Sequence, residues 1–325
     1  MLTVAPIDIN WHTGLSIFAA EPFLKAVGNQ YGWIGGFTES GKLRCILPFT
    51  VVHKATLRMV RFRVETIPLD DQFGVADERA FLNGVVKYFR AAGMDMIIPA
   101  TTNTIFKTYP DGAVVAPYGT YVVDLNQPED ALWSNLNTSH RRKVRQAGKQ
   151  GVEIKSGMDQ LEAVHALVRD TFKRSKMGFM GYQEFERYVR GLGEHVLVSV
   201  AEYQGVMQAC VVVPFSEFGG YYVYGGTADE PVTGATNLLH WETMRRLRDL
   251  GVKRYDFVGV RIDPDKGSKQ EGLLQYKQRF GGQLVQGFMW KYPLRPLKSS
   301  AYSLAVRFLR GGDIVDQERH KSDRA

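Results

Sequence analysis

Two stretches of this 325-residue chain are built to one plan. The first runs Trp33-Ile34-Gly35-Gly36-Phe37, turns at Glu39-Ser40-Gly41-Lys42 and returns as Leu43-Arg44-Cys45-Ile46-Leu47-Pro48-Phe49. The second runs Val196-Leu197-Val198-Ser199-Val200-Ala201-Glu202, turns at Tyr203-Gln204-Gly205 and returns through 206–213 to Pro214-Phe215. Apolar runs of strand length joined by a glycine-bearing turn read as β-hairpins. Each hairpin is followed by a helical pattern closed by a glycine, 78–92 by Gly93 and 235–250 by Gly251. Glycine accepts the left-handed cap conformation that other residues resist. A short strand comes next in both halves, 94–98 and 253–257. The Pro-Phe pairs and the cap glycines are separated by nearly the same distance along the chain, which predicts a duplicated unit.

The expected fold class is therefore α/β (α+β): two domains from internal duplication, each a mixed central sheet flanked by helices. The boundary falls near Asn126. Residues 118–125 read as a strand, Pro128 suits a first helical position, and Glu129 and Asp130 suit the positive end of that helix. This gives a first domain over 1–126 and a second over 127–287, with a tail over 288–325 expected to pack back on the first. In the tail, Met289-Trp290-Lys291-Tyr292 reads as a strand and 297–310 as a basic helix, while 316–325 reads as a charged, frayed end.

Composition narrows the function classes. Hydrophobic content of 44% with 23% charged residues suits a soluble globular protein. No apolar run approaches the ~18 residues of a membrane span, and the N-terminus has no basic-then-apolar leader, so a cytoplasmic location is expected. Cys45 and Cys210 lie in apolar strand-like runs and read as buried free thiols. The seven histidines form no HxH or HxxxH pair, so no metal site is expected. Neither a Walker loop nor a strand-linked GxGxxG is present. A net charge of +7 favours anionic partners: tRNA, CoA, nucleotide-linked precursors or acidic lipid surfaces.

The chemistry concentrates in 250–282. A short strand ends at Asp256, a polar loop follows, and a short helix presents Tyr276-Lys277. A lysine ammonium carries three donors and can stabilise the oxyanion that forms when an amine attacks an ester or thioester. From the residues alone, a solvated lysine on an amphipathic helix remains open. Asp256 reads as a substrate contact, or as a cap of its loop paired with Arg254 or Arg261. In Tyr221-Tyr222-Val223-Tyr224, period two places Tyr222 and Tyr224 on one face, towards an acceptor or into packing.

Gly234-Ala235-Thr236-Asn237 opens a helix whose free N–H groups suit a phosphate, or is an ordinary start capped by Thr233. The densest basic run, 140–149, lies on the helix begun at Pro128, with Trp133, Leu136 and Val144 as its apolar stripe. Arg141, Arg142 and Arg145 there are a phosphate grip or a solvated face. Arg174 precedes a glycine- and aromatic-rich segment, 177–182, that reads as a mobile loop over a cleft, where it would neutralise a carboxylate or phosphate. Lys54, Arg58, Arg61 and Arg63 form a third basic patch, with Arg61 and Arg63 on one strand face.

The strand at 222–226, the strand at 251–259 and the Tyr276-Lys277 helix together resemble the C-terminal half of the FemABX aminoacyltransferases and their acyltransferase relatives. Those proteins carry two copies of the GNAT fold. The resemblance covers most of 132–282 and, more loosely, the first half. It implies acyl or aminoacyl transfer from acyl-CoA or aminoacyl-tRNA to an amine of a cell-envelope or small-molecule precursor, with no permanently bound cofactor.

On that basis Lys277, Tyr276 and Asp256 are the catalytic set, and Tyr222, Tyr224 and Arg174 bind substrate. Arg141, Arg142, Arg145, Gly234, Thr236 and Asn237 hold donor phosphates. Where cell-wall members grip a nucleotide-linked diphosphate with a lysine and an arginine, this chain has Gly28 and Met180. It also lacks the long charged helical-hairpin arm. The expected partners are an amine acceptor, tRNA, and a peripheral membrane contact around Arg307, with Leu304 and Phe308 packing on the protein as the alternative. A competing reading is a non-catalytic nucleic-acid-binding or scaffold protein using the same basic helices.

Overall fold

The computed structural model describes residues 2–322. The first half contains β1 (Thr3–Ile7), α1 (Glu21–Val27), β2 (Gln30–Phe37), β3 (Leu43–Lys54), β4 (Leu57–Phe62), β5 (Ile67–Pro68), α2 (Val75–Ala91), β6 (Met96–Ile97) and β7 (Val114–Asp124). The second opens with α3 (Glu129–Asn135), α4 (Thr138–Lys149), β8 (Glu153–Ser156), α5 (Leu161–Arg174) and α6 (Tyr182–Gly191). It continues through β9 (Val196–Tyr203), β10 (Val206–Ser216), β11 (Gly219–Tyr221), β12 (Tyr224–Thr227), α7 (Ala235–Asp249), β13 (Arg254–Asp256) and α8 (Lys269–Gln278). β14 (Gln283–Pro293), α9 (Pro296–Arg310) and α10 (Ile314–Ser322) complete the described chain.

One mixed sheet runs through the molecule in the order β1-β2-β3-β4-β6-β14-β7-β13-β11-β10-β9-β8, with β5 on β3 and β12 on β10. The halves share a wiring. The β2–β3 and β9–β10 hairpins each add a further antiparallel strand, β4 and β11, and each then gains a parallel strand after a helix: β6 beside β4, β13 beside β11. Gly93 and Gly251 take the left-handed conformation just past α2 and α7 (φ 75° and 78°), as their cap positions predict.

β14 joins the halves: it pairs with β7 from Gln283 to Lys291 and then with β6 at Tyr292 and Pro293. Its Trp290 is buried in the first-half core, beside Phe62 and Phe106. A second apolar cluster mixes the halves, placing Phe18, Phe23 and Leu24 among Val168, Phe185 and Tyr188. A third fills the space under α4 and α7.

Three local expectations change. The helix begun at Pro128 is two helices: Leu136 is extended (ψ 138°), and Asn137 caps a new start by accepting from Ser139 N at 2.9 Å. The polar run Asn137-Thr138-Ser139 favours a cap over a helix interior, because short polar side chains compete for backbone groups. Pro128 itself is the N-cap of α3 and not its first helical residue. The charged tail is ordered as α10, where Val315 is fully buried and Glu318 pairs with Arg261 at 2.9 Å; residues 323–325 lie outside the described residues. Cys45 and Cys210 are buried free thiols, as expected.

Candidate active site

The site forms where two parallel strands part. β11 and β13 pair through Gly220–Tyr255 and Tyr221–Asp256, and Tyr222 N still donates to Asp256 O at 2.9 Å. Val223 N then turns back to Tyr221 O (2.8 Å), a three-residue turn that interrupts the strand. Beyond it β12 pairs with β10, while the chain after β13 leans the other way, Val260 bonding Gly119 of β7.

That turn also breaks the period-two alternation. Tyr222 packs on the cluster under α7, with His240 and Phe257, whereas Tyr224 packs on the opposite cluster, with Phe179, Phe185 and Tyr188. The expectation that both tyrosines share a face is therefore corrected.

After Asp256 the backbone makes a tight loop. Val258 and Gly259 both have positive φ, 52° and 49°. For a β-branched residue this conformation is unfavourable by roughly 1–2 kcal/mol. Two side chains hold it. Asp256 Oδ1 accepts from Val258 N at 2.7 Å and from Thr120 Oγ1 at 2.5 Å. Lys277, from α8, donates its ammonium to Val258 O and, at 2.8 Å, to Gly259 O.

Burial lowers the Lys277 pKa to about 8 while Asp256 pulls the other way, so the ammonium is mostly charged at neutral pH. Burial raises the Asp256 pKa, opposed by Thr120, the Val258 N–H, Arg254 and Lys277. Two of the lysine's three donors are thus spent on a strained strand end, and the third has no partner among the described residues.

An aromatic wall backs this ammonium. His240 Nδ1 lies 3.0 Å from Tyr255 Oη, and its ring meets Tyr222, Phe257, Tyr276 and Phe280. Burial, followed by the nearby Lys277 charge, drives the His240 pKa down to about 3, which keeps the ring neutral. The Tyr276 hydroxyl is buried with no hydrogen-bond partner among the described residues. Buried phenols are usually partnered, so this one stands out.

On the other side of Val258 lies a cleft of about 600 Å³ between the halves. Tyr224, Tyr188, Val223 and Val258 line one wall, and Lys54, Arg61, Arg63 and the loop 98–103 line the other. Arg63 donates to Thr50 Oγ1 at 2.8 Å and Val27 O at 3.1 Å; burial, then Arg61, lowers its pKa to about 9. The Arg61 Nε is buried without a partner among the described residues. An unanswered guanidinium N–H in a cleft wall is suited to an anion or carbonyl oxygen.

The predicted residues thus divide into five places. Asp256, Tyr276, Lys277 and Tyr222 meet around the strand end; of the predicted site residues, only Tyr224 lines the cleft. Arg174 is engaged elsewhere, with Asp229 Oδ1 (2.5 Å), Thr171 and Thr227. The loop after it is pinned, with Phe179 on Tyr224 and Met180 O 2.9 Å from His165 Nε2. Arg141, Arg142 and Arg145 lie on the outer face of α4 in a shallow basin with Trp133, over which Arg145 stacks at 5.2 Å. The inner face of α4 holds α8 through His140, whose Nε2 is 3.2 Å from Tyr276 O.

The first turn of α7 is covered. Gly234 (φ 86°) sits so close to α4 that a Cβ there would lie 2.2 Å from Lys143 O, and Ala235 N bonds Val232 O. Nearby, Asn237 is buried, and its Nδ2 has no hydrogen-bond partner among the described residues. Sequence reasoning missed the Val258 and Gly259 carbonyls, Thr120 and His240. Only Gly259 carried a signal, as a glycine just past a strand.

Among the described residues, no helix is long and apolar enough to cross a membrane, and no cluster of three or more histidines, cysteines or carboxylates could hold a metal ion. Residues 134–278 match the family described as "Acetyltransferase (GNAT) domain". A lipid II:glycine glycyltransferase of Staphylococcus epidermidis is 31% identical over 87 residues, 26% of this chain and 21% of that protein. The chain thus spans about a fifth of the length of the curated relatives it matches. The crystal structure of FemX superposes with a TM-score of 0.68 at 14% identity, covering 91% of this chain and 99% of FemX. A tandem GNAT protein from the clavulanic acid biosynthesis pathway gives a TM-score of 0.50 at 10% identity, over 90% of this chain and 98% of that one.

Proposed function

We propose that this chain, a FemABX-like protein with the GNAT acyltransferase fold, moves an acyl or aminoacyl group from an activated ester or thioester to an amine of a cell-envelope or small-molecule precursor. The observation that carries the reading is Lys277, a half-buried, largely protonated ammonium whose third donor has no partner among the described residues, at the parting of β12 and β13. The amine nitrogen attacks the carbonyl carbon, and the carbonyl electron pair moves onto oxygen. The third Lys277 N–H meets that oxyanion as it forms. The oxyanion's electron pair then re-forms the carbonyl as the C–S or C–O bond breaks, and the proton from the nitrogen passes to the departing thiolate or alkoxide. No protein nucleophile is needed once the amine is positioned.

The cleft would hold the acceptor, with Tyr224 along its length and Lys54, Arg61 and Arg63 against an anionic group. These cations would supply the anion grip that Gly28 and Met180 cannot. Tyr222 and Tyr276 would support Lys277 from behind through the aromatic wall. Arg141, Arg142 and Arg145 would hold phosphates of acyl-CoA or aminoacyl-tRNA on the outer face of α4, the side turned away from α8. The lipid II:glycine glycyltransferase names among the relatives favour an aminoacyl group as the one transferred and a lipid II-like acceptor.

A thermal-shift titration with acetyl-CoA, longer acyl-CoAs, and charged and uncharged tRNA tests the donor, because a ligand of the native state raises Tm with concentration. A saturable response to a CoA thioester or to aminoacyl-tRNA identifies the branch. Lys277→Met then tests the chemistry. A loss of about 10²–10³ in transfer rate with ligand binding retained is expected. Unchanged turnover in that variant overturns the reading.

A further inference from the structure

α9 carries an unusual surface. Leu297, Leu304 and Phe308 are 89%, 71% and 90% exposed, so the alternative that Leu304 and Phe308 pack on the protein does not hold. Ala301 and Ala305 are exposed as well. Positions 297, 301, 304, 305 and 308 fall on one face of a helix, so these side chains form a single apolar stripe. Other large exposed apolar residues, such as Leu69, Val206 and Val285, are scattered over different elements. Scattered ones are ordinary on a protein surface; a contiguous stripe is not.

The charge around the stripe is one-sided. No acidic residue occurs within α9, whose sequence is PLKSSAYSLAVRFLR. Lys298 and Arg307 lie on it and Arg295 caps it, while Lys54 sits over the Tyr302 ring at 5.7 Å. Arg58 and Arg295 converge beside Gly93. Against these five cations stands Asp95, which takes Lys298 at 3.0 Å and Arg295 at 3.7 Å. An apolar stripe between cationic flanks is the pattern of a helix that lies in the interface of an anionic bilayer.

We propose that α9 docks this protein flat on an anionic phospholipid surface, Leu304 and Phe308 entering the acyl-chain boundary. The helix's other side, Tyr302 and Val306, lines the 600 Å³ cleft, so docking brings that cleft to the bilayer surface. The cleft would then meet acceptors presented by the membrane.

The test is flotation of the full chain with vesicles of phosphatidylcholine alone and of phosphatidylcholine mixed with phosphatidylglycerol. Binding to the anionic vesicles that weakens with salt is expected, with little binding to the neutral ones. Leu304→Ser/Phe308→Ser, a pair outside the cleft lining, should lower the partition coefficient about tenfold or more at unchanged Tm. Leu304→Trp should shift its fluorescence to the blue on anionic vesicles. Absence of vesicle binding, binding indifferent to the double variant, or a dimer that the double variant splits without affecting vesicles would each overturn the proposal. None of these readouts uses a transfer assay, so failure here leaves the acyl-transfer reading untouched.

Discussion

At Lys277 one titration has two opposite consequences. Its folded pKa, about 8, lies below the ordinary value of 10.5 because burial penalises the charge. The unfolded chain therefore holds the proton more tightly, and stability contributed by this group rises with pH between about 8 and 10.5. In the proposed role, oxyanion stabilisation needs the proton, so activity is expected below about pH 8 and should be lost above it. The kcat/KM profile should accordingly fall on its alkaline side near pH 8 while Tm does not fall with it. Lys277→Arg, whose guanidinium stays charged, should carry that limb upward even at a lower rate. An alkaline limb that stays at 8 in the arginine variant would assign it to another group.

The element that aims this lysine is the loop leaving β13, and its geometry rests on backbone more than on side chains. A Cβ on Gly259 would lie 2.8 Å from Tyr118 Oη and 3.0 Å from Thr102 O, at a φ of 49°. Gly259→Ala should therefore displace the loop and the carbonyls that hold Lys277. It is expected to lower the transfer rate by about 10²-fold, as a misplacement near 1 Å can, and to lower Tm by several degrees. Activity equal to the parent in a folded Gly259→Ala protein would show that the loop does not position the lysine.

Elements of this kind also mark where the sequence was legible. The hairpins, the capped helices and the Tyr276-Lys277 helix follow from periodicity and glycine placement, which are local signals. The Val223 turn that sends Tyr222 and Tyr224 to opposite clusters has no such signal, because it is imposed by strands pairing with different neighbours. Val258 is the sharper case. Its residue type argues for extended backbone, and this is overridden by Asp256 just before it, itself held by the distant Thr120, and by Lys277 from α8. The cleft was half visible: the Arg61 and Arg63 alternation pointed to one face, but nothing local told that the loop 98–103 and α9 would enclose it.

Across the whole molecule, the continuous sheet buries titratable groups in both halves, and they pull stability in opposite directions. Burial holds His240 (about 3) and His140 (about 4) below the ordinary 6.5, so both are neutral in the fold. The unfolded chain binds their protons more tightly, and stability is lost as pH falls from 6.5 towards 4. Glu78, buried on α2 in the first half, has its pKa raised from 4.5 to about 7. The fold binds that proton more tightly, so its contribution is present in full below 4.5 and lost as pH rises through 7. In wild type the Glu78 proton therefore offsets part of the histidine penalty on acidification. Glu78→Gln keeps the shape of the protonated acid and removes the titration. Its Tm should fall more steeply than that of wild type between pH 6.5 and 4.5, and should be the higher of the two at pH 8. Parallel Tm curves across that range would mean that Glu78 keeps an ordinary pKa and that the two halves do not balance in this way.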